Sequence, residues 1–178
     1  TIGVFSMQAG PGAENAFAGV AQAYADSVPI LLLPASASRN RSAIHPIFSP
    51  WQTYKTVTKW SEQINMPNRI PEMLRRAFNL LRNGRPGPVL LDVPSDILSM
   101  EMPDLSLNYV ASHKWKSAGN LADIRECLRL LMKAKNPIIH AGQGVLYAEA
   151  TDELKEFAEL TQIPVMTTLA GKSAFAEN

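Results

Sequence analysis

Apolar residues in this chain alternate between short continuous runs and sets spaced three or four residues apart, and the alternation lays out a sequence of strands and helices. Ile2, Val4, Phe5 and Met7 form a first apolar run, and Ala16, Phe17, Val20, Ala21 and Tyr24 follow at the spacing of one buried helix face. Between them lies Ala9-Gly10-Pro11-Gly12-Ala13-Glu14-Asn15, a glycine-rich turn from strand to helix. Its glycines permit positive φ and close approach of a ligand, and Pro11 stiffens the bend. Val28 to Leu33 is a continuous apolar run of the kind a parallel sheet buries on both faces. The three segments make a βαβ unit with a right-handed crossover.

Residues 34 to 50 are rich in Ser, Ala, Arg, Asn and Pro and read as a long loop leaving the carboxyl end of that strand, where α/β sheets bind ligands. Trp51 to Thr58 fits a short helix or a strand equally. Ile70, Met73, Leu74, Ala77, Phe78 and Leu81 predict a helix that starts near Pro67 and ends at Asn83-Gly84, followed by a buried strand from Val89 to Val93. From Pro94 to Gly119 the periodicity vanishes, as in an interdomain linker. Leu121 to Lys133 is amphipathic and helical. Strand Ile138 to His140, the turn Ala141-Gly142-Gln143-Gly144, a helix to about Leu160 and strand Ile163 to Thr168 form a second βαβ unit. The fold class is therefore α/β, with two partial open parallel-sheet, Rossmann-like βαβ modules joined by a linker. The boundaries fall at 1–98, 99–118 and 119–178. The first strand opens almost at the first residue and the second module stops soon after its last strand, so the sequence reads as a piece of a longer protein. Such remnants would expose apolar strand edges and be marginally stable alone.

Composition narrows the chemistry without naming it. The 178 residues are 46% hydrophobic, and 17 basic and 16 acidic residues are interspersed, which gives no footprint for nucleic acid or an anionic membrane. The longest apolar run is too short to span a bilayer. The single cysteine, Cys127, fits a reducing cytoplasm; it shares a helix side with Ile124, Leu128 and Leu131 and reads as a buried structural thiol.

Neither glycine turn completes a dinucleotide fingerprint. The third glycine position holds Asn15 in one and Tyr147 in the other. The following strands end in Leu33-Pro34-Ala35 and Met166-Thr167-Thr168, without the acid that would bind ribose hydroxyls. A nicotinamide dehydrogenase is thus disfavoured. His45, His113 and His140 lack ligand spacing, and the chain has no nucleophile elbow, H-E-x-x-H or complete phosphate loop. Asp92 and Asp96 are close in sequence, but beside Pro94 they read as turn and capping residues.

Several segments together resemble thiamine diphosphate-dependent enzymes of the acetolactate synthase type. They are GPGAENAFAGVAQAYADSVPILLLPA, TVTKW, GRPGPVLLDVPSDI, NPIIHAGQG and ELKEFAELTQIPVMTTLAGKSAF, in family order and spacing across nearly the whole chain. GRPGPVLLDVPSDI is the most specific. The resemblance implies that residues 1 to about 100 are the second half of a domain that binds the cofactor's aminopyrimidine, and that a central domain starts near 119. It implies cofactor contacts at Gln8, Gly10, Pro11, Gly12 and Asn15, and contacts to FAD or ADP at Gly142, Gln143, Gly144, Thr168 and Leu169. Helix-start amides at Gly144 could receive a phosphate.

The glutamate that activates the aminopyrimidine and the G-D-G motif that binds diphosphate through magnesium are expected outside these residues. The chain then holds no catalytic or metal-ligating residue of its own, should be inactive alone and should bind thiamine diphosphate weakly or not at all. The implied substrate is a small 2-oxo acid, the implied partner a second copy in a homodimer or homotetramer, and the implied reaction decarboxylation with transfer of the acyl unit to an acceptor. Two departures from the family pattern stand out. Gln8 replaces a common hydroxyl residue, and His45-Pro46-Ile47-Phe48 occupies the region of an F-Q-E stretch, which leaves room for another 2-oxo-acid decarboxylase or carboligase. The alternative from another class is a non-catalytic FAD- or ADP-binding regulatory module that uses only the second turn.

Overall fold

The structure is a computed structural model and describes residues 2–102 and 109–176. The chain divides into two compact units, Thr1–Trp115 and Lys116–Asn178.

The first unit is built on a four-stranded parallel sheet. Its strands are β1 (Gly3–Met7), β2 (Ile30–Ser36), β3 (Trp60–Gln63) and β4 (Val89–Pro94), in the order β1-β2-β4-β3. Helix α1 (Pro11–Ala25) connects β1 to β2, and α3 (Ile70–Arg82) connects β3 to β4. The short helices α2 (Pro50–Thr53) and α4 (Ser95–Leu98) precede β3 and follow β4. The alternation of side chains along a strand explains why apolar runs are continuous here. Leu31, Val89 and Leu91 turn to one face and pack with Met73, Ala77 and Leu81 of α3. Leu32 and Leu90 turn to the other and pack with Met7, Ala13, Val20 and Tyr54. Full burial of one such leucine stabilises the fold by about 1.5–3 kcal/mol, so covering both faces is what holds this sheet together.

The segment GRPGPVLLDVPSDI can be explained residue by residue. Gly84 has φ +69°, a left-handed value that ends α3 after Asn83. Arg85 Nε donates to Ser27 Oγ at 2.8 Å, tying the turn to the end of α1. A Cβ on Gly87 would lie 3.1 Å from Cγ of Lys59. The Lys59 ammonium donates to the main-chain oxygens of Leu80 and, at 3.0 Å, of Asn83, so it caps the carboxyl end of α3 where a cation is favoured. Burial pulls the Lys59 pKa down.

Three differences from the sequence reading have physical causes. Strand β2 continues through Pro34 to Ser36; Pro34 is opposite Met7, the last residue of β1, and the register with β4 skips Leu33 and Pro34 before resuming at Ala35 and Ser36, as a residue without a donor requires. The ambiguous stretch resolves into α2 and a 3-10 turn at Tyr54–Thr56, and β3 forms just beyond it. Cys127 is exposed rather than buried. It lies on α5 (Leu121–Lys133), and none of that helix is buried, although Leu128 and Leu130 are apolar.

The second unit contains α5, strand β5 (Ile139–Ala141), the short helix α6 (Gly144–Ala148), helix α7 (Thr151–Thr161) and strand β6 (Val165–Thr167). β5 and β6 pair in parallel, with Ile139 opposite Val165 and Ala141 opposite Thr167. Ala141, Ala158, Ile163 and Ala174 are buried, whereas Ile138 and Met166 are exposed. Asn120 caps α5 by accepting from the Ala122 N–H at 2.8 Å.

Candidate functional site

Parallel pairing puts the carboxyl ends of all four strands of the first unit on one edge of the sheet, and the turn after β1 is on that edge. Gly10 is the N-cap of α1, at φ +66° and ψ −111°, a conformation side chains oppose. Nothing would obstruct a Cβ at Gly10, so glycine is required there by backbone conformation alone. Gly12 is required by space: its Cβ would meet Cβ of Gln8 at 2.9 Å. The second glycine therefore serves close packing of turn against strand end, in addition to any ligand. Pro11 occupies the first helical position, where its missing N–H is not needed. The Ala13 N–H donates to Gln8 O at 3.1 Å and Glu14 N–H to Gly10 O at 2.9 Å, which closes the turn. Gln8, Pro11 and Asn15 are all exposed, Gly10 and Gly12 half-exposed. The result is an open wall with a proline ring, bare backbone and two amide side chains that can donate and accept.

One residue that periodicity did not single out holds this wall in place. Tyr54 is fully buried, its hydroxyl donates to the main-chain oxygen of Ala13 at 2.5 Å, and its ring meets Phe17 edge-on at 5.2 Å. Burial raises its pKa, so it stays a neutral donor. Its partner is 41 residues away in sequence, and no local pattern encodes such a bond.

Asp92 and Asp96 do not form a pair. Asp92 is fully buried within the sheet, and its Oδ2 accepts from Gln63 Nε2 at 2.9 Å across the β3-β4 pairing. Its Oδ1 and the neighbouring Ser36 Oγ are both buried without a completed hydrogen bond. Burial raises the Asp92 pKa, against the opposing pull of the Ser36 hydroxyl, the Gln63 amide and the Val93 N–H. Asp96, in the first turn of α4, is held by Arg39, whose main-chain N–H and then guanidinium keep its carboxyl below the usual range. Asp92 caps no turn, whereas Asp96 does take a capping role, accepting the main-chain N–H of Arg39 that opens the turn Arg39–Arg41. Among the described residues, no group of three His, Cys, Asp or Glu side chains could hold a metal ion, and no helix is long and apolar enough to cross a membrane.

In the second unit the structure brings Gly142, Gln143, Gly144, Thr168 and Leu169 together at the carboxyl ends of β5 and β6. Thr168 N–H donates to Ala141 O at 2.9 Å, and Thr168 Oγ1 accepts from the Gly171 N–H at 2.9 Å. A Cβ on Gly171 would lie 2.7 Å from Ala141 O and 2.9 Å from Gly142 C, so the two turns touch backbone to backbone. Gln143 Nε2 donates to the Tyr147 hydroxyl at 2.9 Å. The first-turn amides of α6 are engaged locally: Val145 N–H bonds Gly142 O, and Leu146 and Tyr147 N–H bond Gln143 O. That internal use, in a helix of five residues, engages the amides that follow Gly144. What remains is a surface, with Leu169 95% exposed beside the glycine turn.

Residues 1–60 match the family model for the N-terminal TPP binding domain of thiamine pyrophosphate enzymes, and residues 124–178 match the model for their central domain. The chain is 36% identical to a probable acetolactate synthase large subunit of Methanocaldococcus jannaschii over 99% of its own length and 31% of the relative's. It is 34% identical to an acetolactate synthase large subunit of Corynebacterium glutamicum (99% and 29%) and to the isozyme 3 large subunit of Escherichia coli (98% and 31%). The chain spans about a third of the length of these curated relatives. With both domain models matched in order and relatives aligned over nearly every residue, the chain belongs to the thiamine pyrophosphate-dependent enzyme family, on its acetolactate synthase-like branch.

Proposed function

We propose that the whole protein decarboxylates a 2-oxo acid and transfers the acyl unit to an acceptor, as a thiamine diphosphate- and magnesium-dependent enzyme of the acetolactate synthase type. The observation that carries this reading is the open wall after β1, in a chain whose relatives are named acetolactate synthases. Bound thiamine diphosphate supplies a nucleophilic carbon and an electron sink for loss of carbon dioxide. The residues of this chain bind and orient. The Pro11 ring and the Gly10 and Gly12 backbone offer a flat surface for the aminopyrimidine, and the Asn15 and Gln8 amides hydrogen-bond its edge. The residues fit that task because their polar groups are exposed on a turn made rigid by the Tyr54 hydroxyl.

We assign the activating glutamate and the metal-binding G-D-G motif to segments flanking these residues. In the 119–178 domain we assign Gly142, Gln143, Gly144, Thr168 and Leu169 to FAD, or to ADP in its place. An exposed leucine beside a glycine turn suits a flat ring better than it suits a bare phosphate. We place the enzyme in the cytoplasm as a homodimer or homotetramer. The regulatory-module alternative gains no support from any observation and is not retained.

The full-length protein tests this reading. With magnesium it should bind thiamine diphosphate by calorimetry and consume pyruvate or another short 2-oxo acid with release of carbon dioxide, and Asn15→Ala should weaken cofactor binding about tenfold, the loss of one buried hydrogen bond. A full-length protein that binds no thiamine diphosphate and decarboxylates no 2-oxo acid would refute it.

A further inference from the structure

The side chain of Arg39 gathers the turns that leave three strands. Arg39 follows the end of β2 and opens a 3-10 turn, Arg39–Arg41. Its main-chain N–H donates to Asp96 Oδ1 at 2.9 Å and its Nε to Asp96 Oδ2 at 2.6 Å, so a carboxylate just past β4 is gripped at both oxygens. Its Nη1 donates to the main-chain oxygen of Asn65, just past β3, and its Nη2 lies 3.8 Å from the Met100 sulfur. Side-chain exposures of 34% for Arg39 and 25% for Asp96 leave the pair partly shielded from solvent screening. Only a planar fork of several donors can serve such divergent acceptors at once; a lysine cannot.

Beyond Arg39 the chain from residue 40 to 46 is exposed, and it returns to the core where Phe48 packs beside Tyr54 and Pro50 is buried. The loop is thus fastened at two points, the guanidinium and the Phe48–Pro50 end. The wall after β1 is fastened by Tyr54 on Ala13, next to the Phe48 end of the loop, so of the loop's two fastenings the guanidinium is the one that does not involve the wall's anchor. Arg39 and its partners lie in the segments that follow β2, β3 and β4, whereas the wall follows β1.

We propose that Arg39 is a positioning residue that fixes the course of the 40–47 loop over the carboxyl-end edge, and so governs how the 2-oxo acid is held without governing how thiamine diphosphate is held. This rests on the function proposed above, since that edge must be the substrate's. Asp96 is the second half of the clasp, and the loop's exposed Arg41 reports its order to a protease.

The experiment uses the full-length protein and the variants Arg39→Ala, Arg39→Lys and Asp96→Ala. In each, tryptic cleavage after Arg41 is timed without cofactor and identified by fragment mass, the affinity for thiamine diphosphate is measured by calorimetry, and KM and kcat are measured for pyruvate. Arg39→Ala and Asp96→Ala should each speed cleavage after Arg41 about tenfold and raise KM about tenfold, more than they lower kcat, while thiamine diphosphate affinity stays within about twofold of the parent. Arg39→Lys should recover only part of the KM, because it keeps the charge and loses the fork.

Unchanged cleavage after Arg41, an unchanged KM, or a loss of cofactor affinity in step with KM would overturn the proposal. So would an effect of Arg39→Ala that Asp96→Ala does not share, since the guanidinium would then act on the substrate itself. If Arg39→Ala does not fold, Asp96→Ala, which keeps the bonds to Asn65 and Met100, decides. If the parent neither binds thiamine diphosphate nor consumes pyruvate, the proposed function fails, while the cleavage rates still decide whether the clasp orders the loop.

Discussion

The two glycine turns share a sequence pattern and differ in almost everything physical. The first uses Gly10 for a positive φ and Gly12 for close packing on Gln8, and it launches a helix of 15 residues. Among the described residues, positive φ at glycine is confined to Gly10 and Gly84, so neither Gly142 nor Gly144 needs it. The second turn launches a helix of five residues, and its close approach comes from a third glycine, Gly171, pressed against Ala141 and Gly142 from the neighbouring strand end. A Gly-x-Gly pattern thus announces that backbone will crowd something, and only the structure tells whether that something is its own strand, another turn or open space.

Substitution to alanine separates these cases. Gly171→Ala has the largest expected effect: a methyl 2.7 Å from the Ala141 oxygen must displace backbone, at a cost of about 3 kcal/mol. Hydrogen-exchange protection of the β5 and β6 amides should fall accordingly, and unaltered protection would break the account of the second turn. Gly10→Ala meets no clash but must hold φ +66°, which costs about 2 kcal/mol. In the full-length protein it should lower the denaturation midpoint and weaken thiamine diphosphate binding together. Gly144→Ala is the smallest: nothing lies within 4 Å of its Cβ, and the helix start gains propensity, so unfolding should change by no more than about 0.5 kcal/mol and in the stabilising direction. A large loss there would mean that the two turns are more alike than their geometry indicates.

Much of this was legible in the sequence, for identifiable reasons. Residues 16 to 24 and 70 to 81 repeat at helical spacing, and Val28–Leu33 and Val89–Val93 are continuous apolar runs, so α1, α3, β2 and β4 could be anticipated. The family resemblance was equally legible, because GRPGPVLLDVPSDI packs several unrelated constraints into one segment: a left-handed glycine, a glycine against Lys59, a buried aspartate and the acid that Arg39 grips. β3 was hidden because Trp60-Ser61-Glu62-Gln63 has none of the β-branched alternation that marks a strand. Tyr54, Arg39 and Gln63 were hidden because their partners are 41, 57 and 29 residues away. Cys127 was misread for a related reason. Periodicity shows which side of a helix a residue takes, and the described residues place no cover over that side of α5.

The parallel pairing of β1, β2, β4 and β3 has a consequence for how such proteins diversify. Because every strand delivers its outgoing turn to one rim, the glycine wall and the 40–47 loop start from adjacent strands on the same edge, the first held by Tyr54 and the second by Arg39. A substitution in the exposed part of the loop, residues 40 to 46, need not disturb the bond between Tyr54 and Ala13. One sheet edge can thus carry a freely variable segment beside a tightly held one.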